Sequence, residues 1–319
     1  MIAPNALDHP LRLPWALLWL CVLVALPWVA LALDEGFYIT VASRVLIFAL
    51  AATSLNLVLG FGGMVSFGHA AFMGIGAYAV GILMDAGLTS AALSWPVAVL
   101  AAAVFAGVMG VISLRTQGVY FIMITLAFAQ MLYYFMVSLK TYGGDDGLSL
   151  STRSSWSGWD IASDTGFYFL VLGIFVVVFV GLQRLLNSRL GHALQAIRDN
   201  ETRMAALGFS VFRIKWVVFV LAGAIGGLSG ALLANQNGFV SPSLMQWNQS
   251  GMLMIMVILG GVGRLYGGLV GAVVFLLLEE VLVAHTIHWT LALGALLLAV
   301  VLVAPNGVLS LWPKRRERP

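Results

Sequence analysis

Residues 214–236 read Ile-Lys-Trp-Val-Val-Phe-Val-Leu-Ala-Gly-Ala-Ile-Gly-Gly-Leu-Ser-Gly-Ala-Leu-Leu-Ala-Asn-Gln. After Lys215 the stretch carries no charged side chain, and at about 1.5 Å of rise per residue its helical length matches the roughly 30 Å apolar core of a bilayer. Backbone amides in hydrocarbon must find their partners within the segment, so such a stretch has to be a helix. Gly223 and Gly227, and likewise Gly226 and Gly230, stand four apart, a spacing that lets a second membrane helix approach closely. The stretch therefore predicts a bundle of packed helices in a membrane.

The same reading extends outward over the chain. Of 319 residues, 61% are hydrophobic and 9% are charged, against about a quarter charged in an ordinary soluble domain. Apolar segments long enough to cross lie at 14–33, 38–59, 64–84, 91–112, 119–139, 166–186, 214–236, 247–263, 265–284 and 288–304. They predict an all-α polytopic membrane protein of about ten transmembrane helices, a single domain over residues 1–319. The third and eighth segments are short and glycine-broken, which leaves them open to being re-entrant or kinked. Ala30-Leu31-Ala32 resembles a signal-cleavage site, but the run is long and flanked by Pro14, Trp15 and Trp28 in the manner of a retained span. Cys21 is the single cysteine, so no disulfide and no thiol-based metal site form within the chain.

Placing the N-terminus in the cytoplasm puts Arg12, Arg115, Arg184, Arg189, Arg198, Arg203, Arg213, Lys215, Arg264, Lys314, Arg315, Arg316 and Arg318 on the inner side, 13 of the 16 basic residues. Arg44, Lys140 and Arg153 remain outside. Such a split is what the positive-inside rule predicts, and an even number of spans leaves both termini cytoplasmic. The expected location is the bacterial inner membrane. The net charge of +3 then reflects topology and not nucleic-acid binding. Two soluble stretches remain, a periplasmic loop at 140–165 and a cytoplasmic loop at 187–213. Gly62-Gly63 followed by Gly68 echoes Gly260-Gly261 followed by Gly267, a pattern that can mark paired halves of a transporter.

Ion-coupled transporters bind their driving ion with charged groups at mid-membrane. Here Arg44, Asp85, Glu279 and Glu280 fall near span ends, where snorkelling accounts for them. No P-loop is present, since the three lysines follow Leu139, Ile214 and Pro313. His285 and His288 share a helical face but would need ligands from another element to hold a metal, so no metal site, no catalytic residue and no cofactor are expected on this chain. Gly227-Leu-Ser-Gly230 resembles the serine motif of rhomboid intramembrane proteases, with a histidine on a later span, yet it lies inside the glycine packing pattern that already explains it. Asn56, Ser66, His69, Thr125 and Gln130 are uncharged polar residues at membrane depth. They are candidates to line a path for a zwitterionic solute, and each could instead bond a neighbouring helix.

In the cytoplasmic loop, Leu190, Ala193, Leu194 and Ile197 recur at helical spacing, which predicts a short amphipathic helix. Asp199 or Asn200 can cap a second short helix ending at Gly208, a residue free to turn left-handed. Two short helices with alternating charge and small residues suit a docking surface, and an ordinary solvated loop is the other reading.

Several pieces of the chain together resemble the LivM-type permease subunit of branched-chain amino-acid ABC importers. They are Ser54-Leu-Asn-Leu-Val-Leu-Gly60, Gly62-Gly-Met-Val-Ser-Phe-Gly-His-Ala-Ala-Phe-Met-Gly-Ile-Gly-Ala-Tyr78, Gly118-Val-Tyr-Phe121 and Thr125-Leu-Ala-Phe-Ala-Gln130. Gly143-Gly-Asp-Asp-Gly-Leu148, Ala196-Ile-Arg-Asp-Asn-Glu201 leading to Gly208, Leu259-Gly-Gly-Val-Gly263 and Ala304-Pro-Asn-Gly307 follow in order. The resemblance implies a complex with a second, homologous permease subunit, two cytoplasmic ATPase subunits that hold ATP and Mg, and a periplasmic solute-binding protein. It makes Gly191, Arg198, Asp199, Glu201, Ala205 and Gly208 the ATPase-coupling positions, with Glu201 and Gly208 entering a groove on the ATPase. Arg203 and Met204 depart from the alanines usual there. Gly143, Gly144, Asp145, Asp146 and Gly147 become a periplasmic gate or a contact for the binding protein, although their glycines alone could make a turn. Branched-chain amino acids are the expected cargo. Relatives that carry urea, short amides or aromatic acids remain an alternative, as does a stand-alone channel for a small polar solute.

Overall fold

The computed structural model describes residues 13–32, 35–150, 152–156, 161–285, 287–303 and 307–310. Arg12, the basic run from Lys314 to Arg318, and Ala304, Pro305 and Asn306 of the last motif lie outside the described residues. Twelve α-helices follow in order among those described: α1 (Leu13–Ala32), α2 (Phe37–Asn56), α3 (His69–Asp85), α4 (Ala91–Ser113), α5 (Val119–Ser138), α6 (Asp164–Leu186), α7 (Arg189–Asp199), α8 (Glu201–Ala206), α9 (Val211–Asn237), α10 (Trp247–Gly260), α11 (Gly267–His285) and α12 (Trp289–Val303).

Six are long and apolar enough to cross a membrane, namely α2 with its extension to Phe61, α4, α5, α6, α9 and α11. This is a multi-pass helical membrane protein. Exposed helix surfaces are aliphatic, as on α4, where Leu100, Val104 and Val108 are exposed. The third and eighth expected segments are shorter than their apolar runs. Helix α3 begins only at His69 and has 17 residues, and α10 stops at Gly260 after 14. At about 1.5 Å per residue neither reaches 30 Å.

Helix α2 is the hub, packed against α6, α9, α10 and α11. Against α9 lie α3 and α4, and glycines set the spacing. A Cβ on Gly76 of α3 would collide with the backbone of Gly227, and one on Gly230 would collide with the backbone of Met73. The Gly-x-x-x-Gly residues of the opening stretch thus seat α3 and α4 against α9.

Connections group on two opposite faces. On one, Ser155 N donates to Thr89 O at 2.7 Å, Ser154 N donates to the Asn235 side chain at 2.7 Å, and β1 (Leu148–Ser149) pairs antiparallel with β2 (Phe239–Val240). These two-residue strands are the departure from an all-helical reading, and no alternating pattern announces so short a pairing. On the other face meet α7, the turns after α2 and α10, and Gly307.

Arg44 and Glu279 do not snorkel separately. Arg44 Nη2 lies 3.4 Å from Glu279 Oε1, joining α2 to α11. Membrane-depth charges pair where a partner is in reach.

Candidate functional site

The segment between α6 and α9 is a built element. Ser188 caps α7, its Oγ accepting from Gly191 N at 3.4 Å, and Asn200 caps α8, its Oδ1 accepting from Arg203 N at 2.8 Å. Of the two candidate caps, Asn200 is the one used. Gly208 follows α8 with φ +84, the left-handed conformation that ends a helix without Cβ strain. Under the two helices sits a small core of Ala193, Ile197 and Met204, flanked by Val211 and Ile214 of α9. Lys215 Nζ lies 2.6 Å from Glu201 Oε2, tying the start of α8 to the first turns of α9.

The six coupling candidates divide by direction. Gly191 is a packing glycine, because a Cβ there would collide with the carbonyls of Leu185 and Leu186. Arg198 is exposed, but its guanidinium reaches in to Gly60 O. Asp199, Ala205 and Gly208 face out, and Glu201 is held by Lys215. Met204 is buried beneath the segment while Arg203 is exposed. Beside them, Leu207 is 67% exposed and Phe209 and Phe212 are also exposed. Pattern reading placed these three in the cytoplasmic loop without a role, because the exposure of an apolar loop residue is decided by packing. Their distinguishing sign is position, since they follow a capped polar helix.

Arg198 leads to a junction. Its Nη1 donates to Gly60 O at 2.8 Å, in the π-helical turn Leu57–Phe61 that ends α2. Its stem lies against Gly63, where a Cβ would come within 2.8 Å of Arg198 Cγ, and its head against Gly263. Asn56 closes the same place from the other side. Its Oδ1 accepts from Gly263 N at 3.0 Å and its Nδ2 donates to Arg264 O at 2.8 Å. The breaks after α2 and after α10, which echo one another in sequence, therefore touch in space.

The other expected path residues lie along the return from that junction into α3. Phe67 N donates to Thr125 Oγ1 at 3.2 Å and Gly68 N donates to Ser66 Oγ at 3.2 Å. Irregular backbone at this depth persists because such side chains satisfy it. Ser54 Oγ donates to Ala222 O at 2.6 Å, so its 2.9 Å contact with His69 Nε2 makes the histidine the donor there. The buried Nδ1 of His69 and Nε2 of Gln130 have no hydrogen-bond partner among the described residues. Asn56, Ser66, His69 and Thr125 are thus brought into one interior region, and Gln130 lies a turn further along α5. Ser229, by contrast, is fully buried with its Oγ donating to Gly226 O at 2.7 Å, whereas His285 is at the exposed end of α11.

On the opposite face, Gly143, Gly144 and Gly147 all have positive φ. A Cβ on Gly147 would collide with Val240 O, so these glycines form the turn that lets β1 meet β2. Asp145 and Asp146 are exposed at its tip.

A multi-pass helical bundle with two broken helix pairs, and a capped helical segment pinned to their junction, has the architecture of a membrane permease. The chain belongs to the family described as branched-chain amino acid transport system / permease component, whose family model matches residues 37–305. Among similar proteins, the high-affinity branched-chain amino acid transport system permease protein LivM of Escherichia coli (strain K12) is 28% identical over 296 residues, 85% of this chain and 69% of that protein. LivM of Salmonella typhimurium (strain LT2) matches to the same extent, 28% over 296 residues. The permease protein LivH of Salmonella typhimurium is 27% identical over 291 residues, 82% of this chain and 91% of that protein. No solved structure matches significantly.

Proposed function

We propose that this chain is one of two homologous permease subunits of an ATP-driven importer of branched-chain amino acids in a bacterial inner membrane. About ten helices cross, both termini lie in the cytoplasm, and the face bearing α7 and α8 is cytoplasmic. Similarity to both LivM and LivH supports a sister permease as partner. The observation that carries the reading is the exposed tip formed by Ala205, Leu207, Gly208 and Phe209 on a rigid, capped element. Small and apolar residues on a polar helical segment suit a groove on a soluble partner, here two cytoplasmic ATPases that hold ATP and Mg. The exposed Asp145 and Asp146 present an acidic tip on the periplasmic face to the solute-binding protein. The chain supplies no catalytic group. Nucleotide-driven closure of the ATPases moves the docked segment, and the bundle switches between outward and inward access.

The test is to tag the chain, extract it gently from its native membrane and identify what accompanies it. A second permease and two ATPases are expected, with uptake of leucine, isoleucine or valine in proteoliposomes depending on ATP and the binding protein. Leu207→Asp should abolish ATPase retention while leaving the chain in the membrane. A chain that emerges alone under several mild detergents, or that passes solute without ATP, would refute the reading.

A further inference from the structure

Two links run inward from the segment that docks the ATPase. One is Glu201 to Lys215, which reaches α9, a helix unbroken from Val211 to Asn237. The other is Arg198, which reaches the only place among the described residues where the turns after α2 and α10 touch. A shift passed to α9 moves a whole rod. Passed to the turns, it can open a seam, because both are helix breaks of the kind that hinge in transporters.

Resting on the importer reading above, we propose that Arg198 is a positioning residue that transmits movement of α7 to the seam between Gly60 and Gly263, the inner closure of the path. The seam is dense. A Cβ on Gly60 would meet Asn56 Oδ1 and Gly263 N, one on Gly263 would lie 3.1 Å from Arg198 Nη1, and Gly307 packs on Gly261. Arg198 bridges α7 and the seam, its guanidinium bound at once to Gly60 O at 2.8 Å and to Asp199 Oδ1 at 3.3 Å. A planar guanidinium held at both edges behaves as a stiff link, whereas a lysine ammonium on a flexible stem holds one acceptor at a time. Drawing α7 away removes the donor from Gly60 O and the stem from Gly63 together, while the bonds of Asn56 to Gly263 N and Arg264 O stay in place.

The experiment uses the whole complex, reconstituted with its binding protein, so that ATP hydrolysis and uptake are read in the same vesicles. Arg198→Ala should keep both ATPases bound and still hydrolyse ATP, while solute carried per ATP falls by about tenfold, within the usual range of coupling between sites. Arg198→Lys should recover part of that loss. In a Cys21→Ser background, Val262→Cys at the exposed edge of the seam should label faster with a maleimide when ATP is bound, and Arg198→Ala should remove that dependence. Native transport per ATP in Arg198→Ala, or an unchanged labelling response, overturns the proposal. So does loss of the ATPases from Arg198→Ala, which would make the residue part of the docking surface. If the unaltered chain holds no ATPase, the importer reading itself fails and the proposal with it.

Discussion

One substitution, glycine to alanine, should have opposite effects at different depths of this bundle. At Gly76 and Gly230 the added methyl meets backbone atoms of Gly227 and Met73, which cannot swing aside as a side chain can. At Gly173 and Gly181 of α6 nothing lies within 4 Å of the new atom. Overpacking costs about 1–3 kcal/mol when neighbours can shift, so a backbone collision belongs at the upper end, about 3 kcal/mol. In an open helical position the same change gains roughly 0.5–1 kcal/mol through the unfolded chain and helix propensity. The two classes should therefore differ by about 4 kcal/mol, with opposite signs. Reversible unfolding of the purified chain in mixed micelles, followed by circular dichroism, would measure it. If Gly76→Ala and Gly173→Ala unfold together, the close approach of α3 to α9 is not what these glycines are for.

Two further outcomes follow from particular contacts. Ser229→Ala removes a bond to Gly226 O within its own helix turn, and uptake should stay within about twofold of native, because an internal back-bond of this kind carries little stability; loss of activity would revive a nucleophilic role. Arg44→Gln and Glu279→Gln each break the α2–α11 ion pair, and the double variant should cost about as little as either single one, with a coupling energy of roughly 0.6 kcal/mol in a double-mutant cycle; fully additive costs would mean that the pair does not exist in the membrane.

The positions of the long helices were legible because hydrocarbon imposes one rule on every residue of a span, and α4, α6 and α9 fall close to their expected limits. The two-helix segment was legible too, since caps and amphipathic spacing act within a few residues, as Asn200 and Gly208 do. Partnerships were not. Asn56 meets Gly263 across 207 residues, and Arg44 meets Glu279 across 235. Neither pairing leaves a local trace, because an asparagine that staples two loops and one that lines a path are the same letter in the same apolar surroundings. Direction was hidden as well. Arg198 and Asp199 are adjacent, solvent-exposed polar residues at the end of one helix, and only the packing of α7 on α6 and α9 turns the guanidinium of the first in to Gly60 O.

Stiffness is what gives that inward turn a consequence. A flexible loop would absorb displacement by a partner, since its backbone has many conformations of similar energy. The segment from Ser188 to Gly208 has few. Both of its helices are capped by side chains, Ala193 and Ile197 share a core with Met204, and one residue, Asn200, joins the helices. Met204 fills that core and adds contact to it. A push on Leu207 or Phe209 then leaves the segment through attachments that include the chain ends in α6 and α9, the Glu201–Lys215 pair and Arg198. Three of these end on continuous helices. Arg198 ends on a break, so under the importer reading a displacement that reaches it moves Gly60 against Gly263.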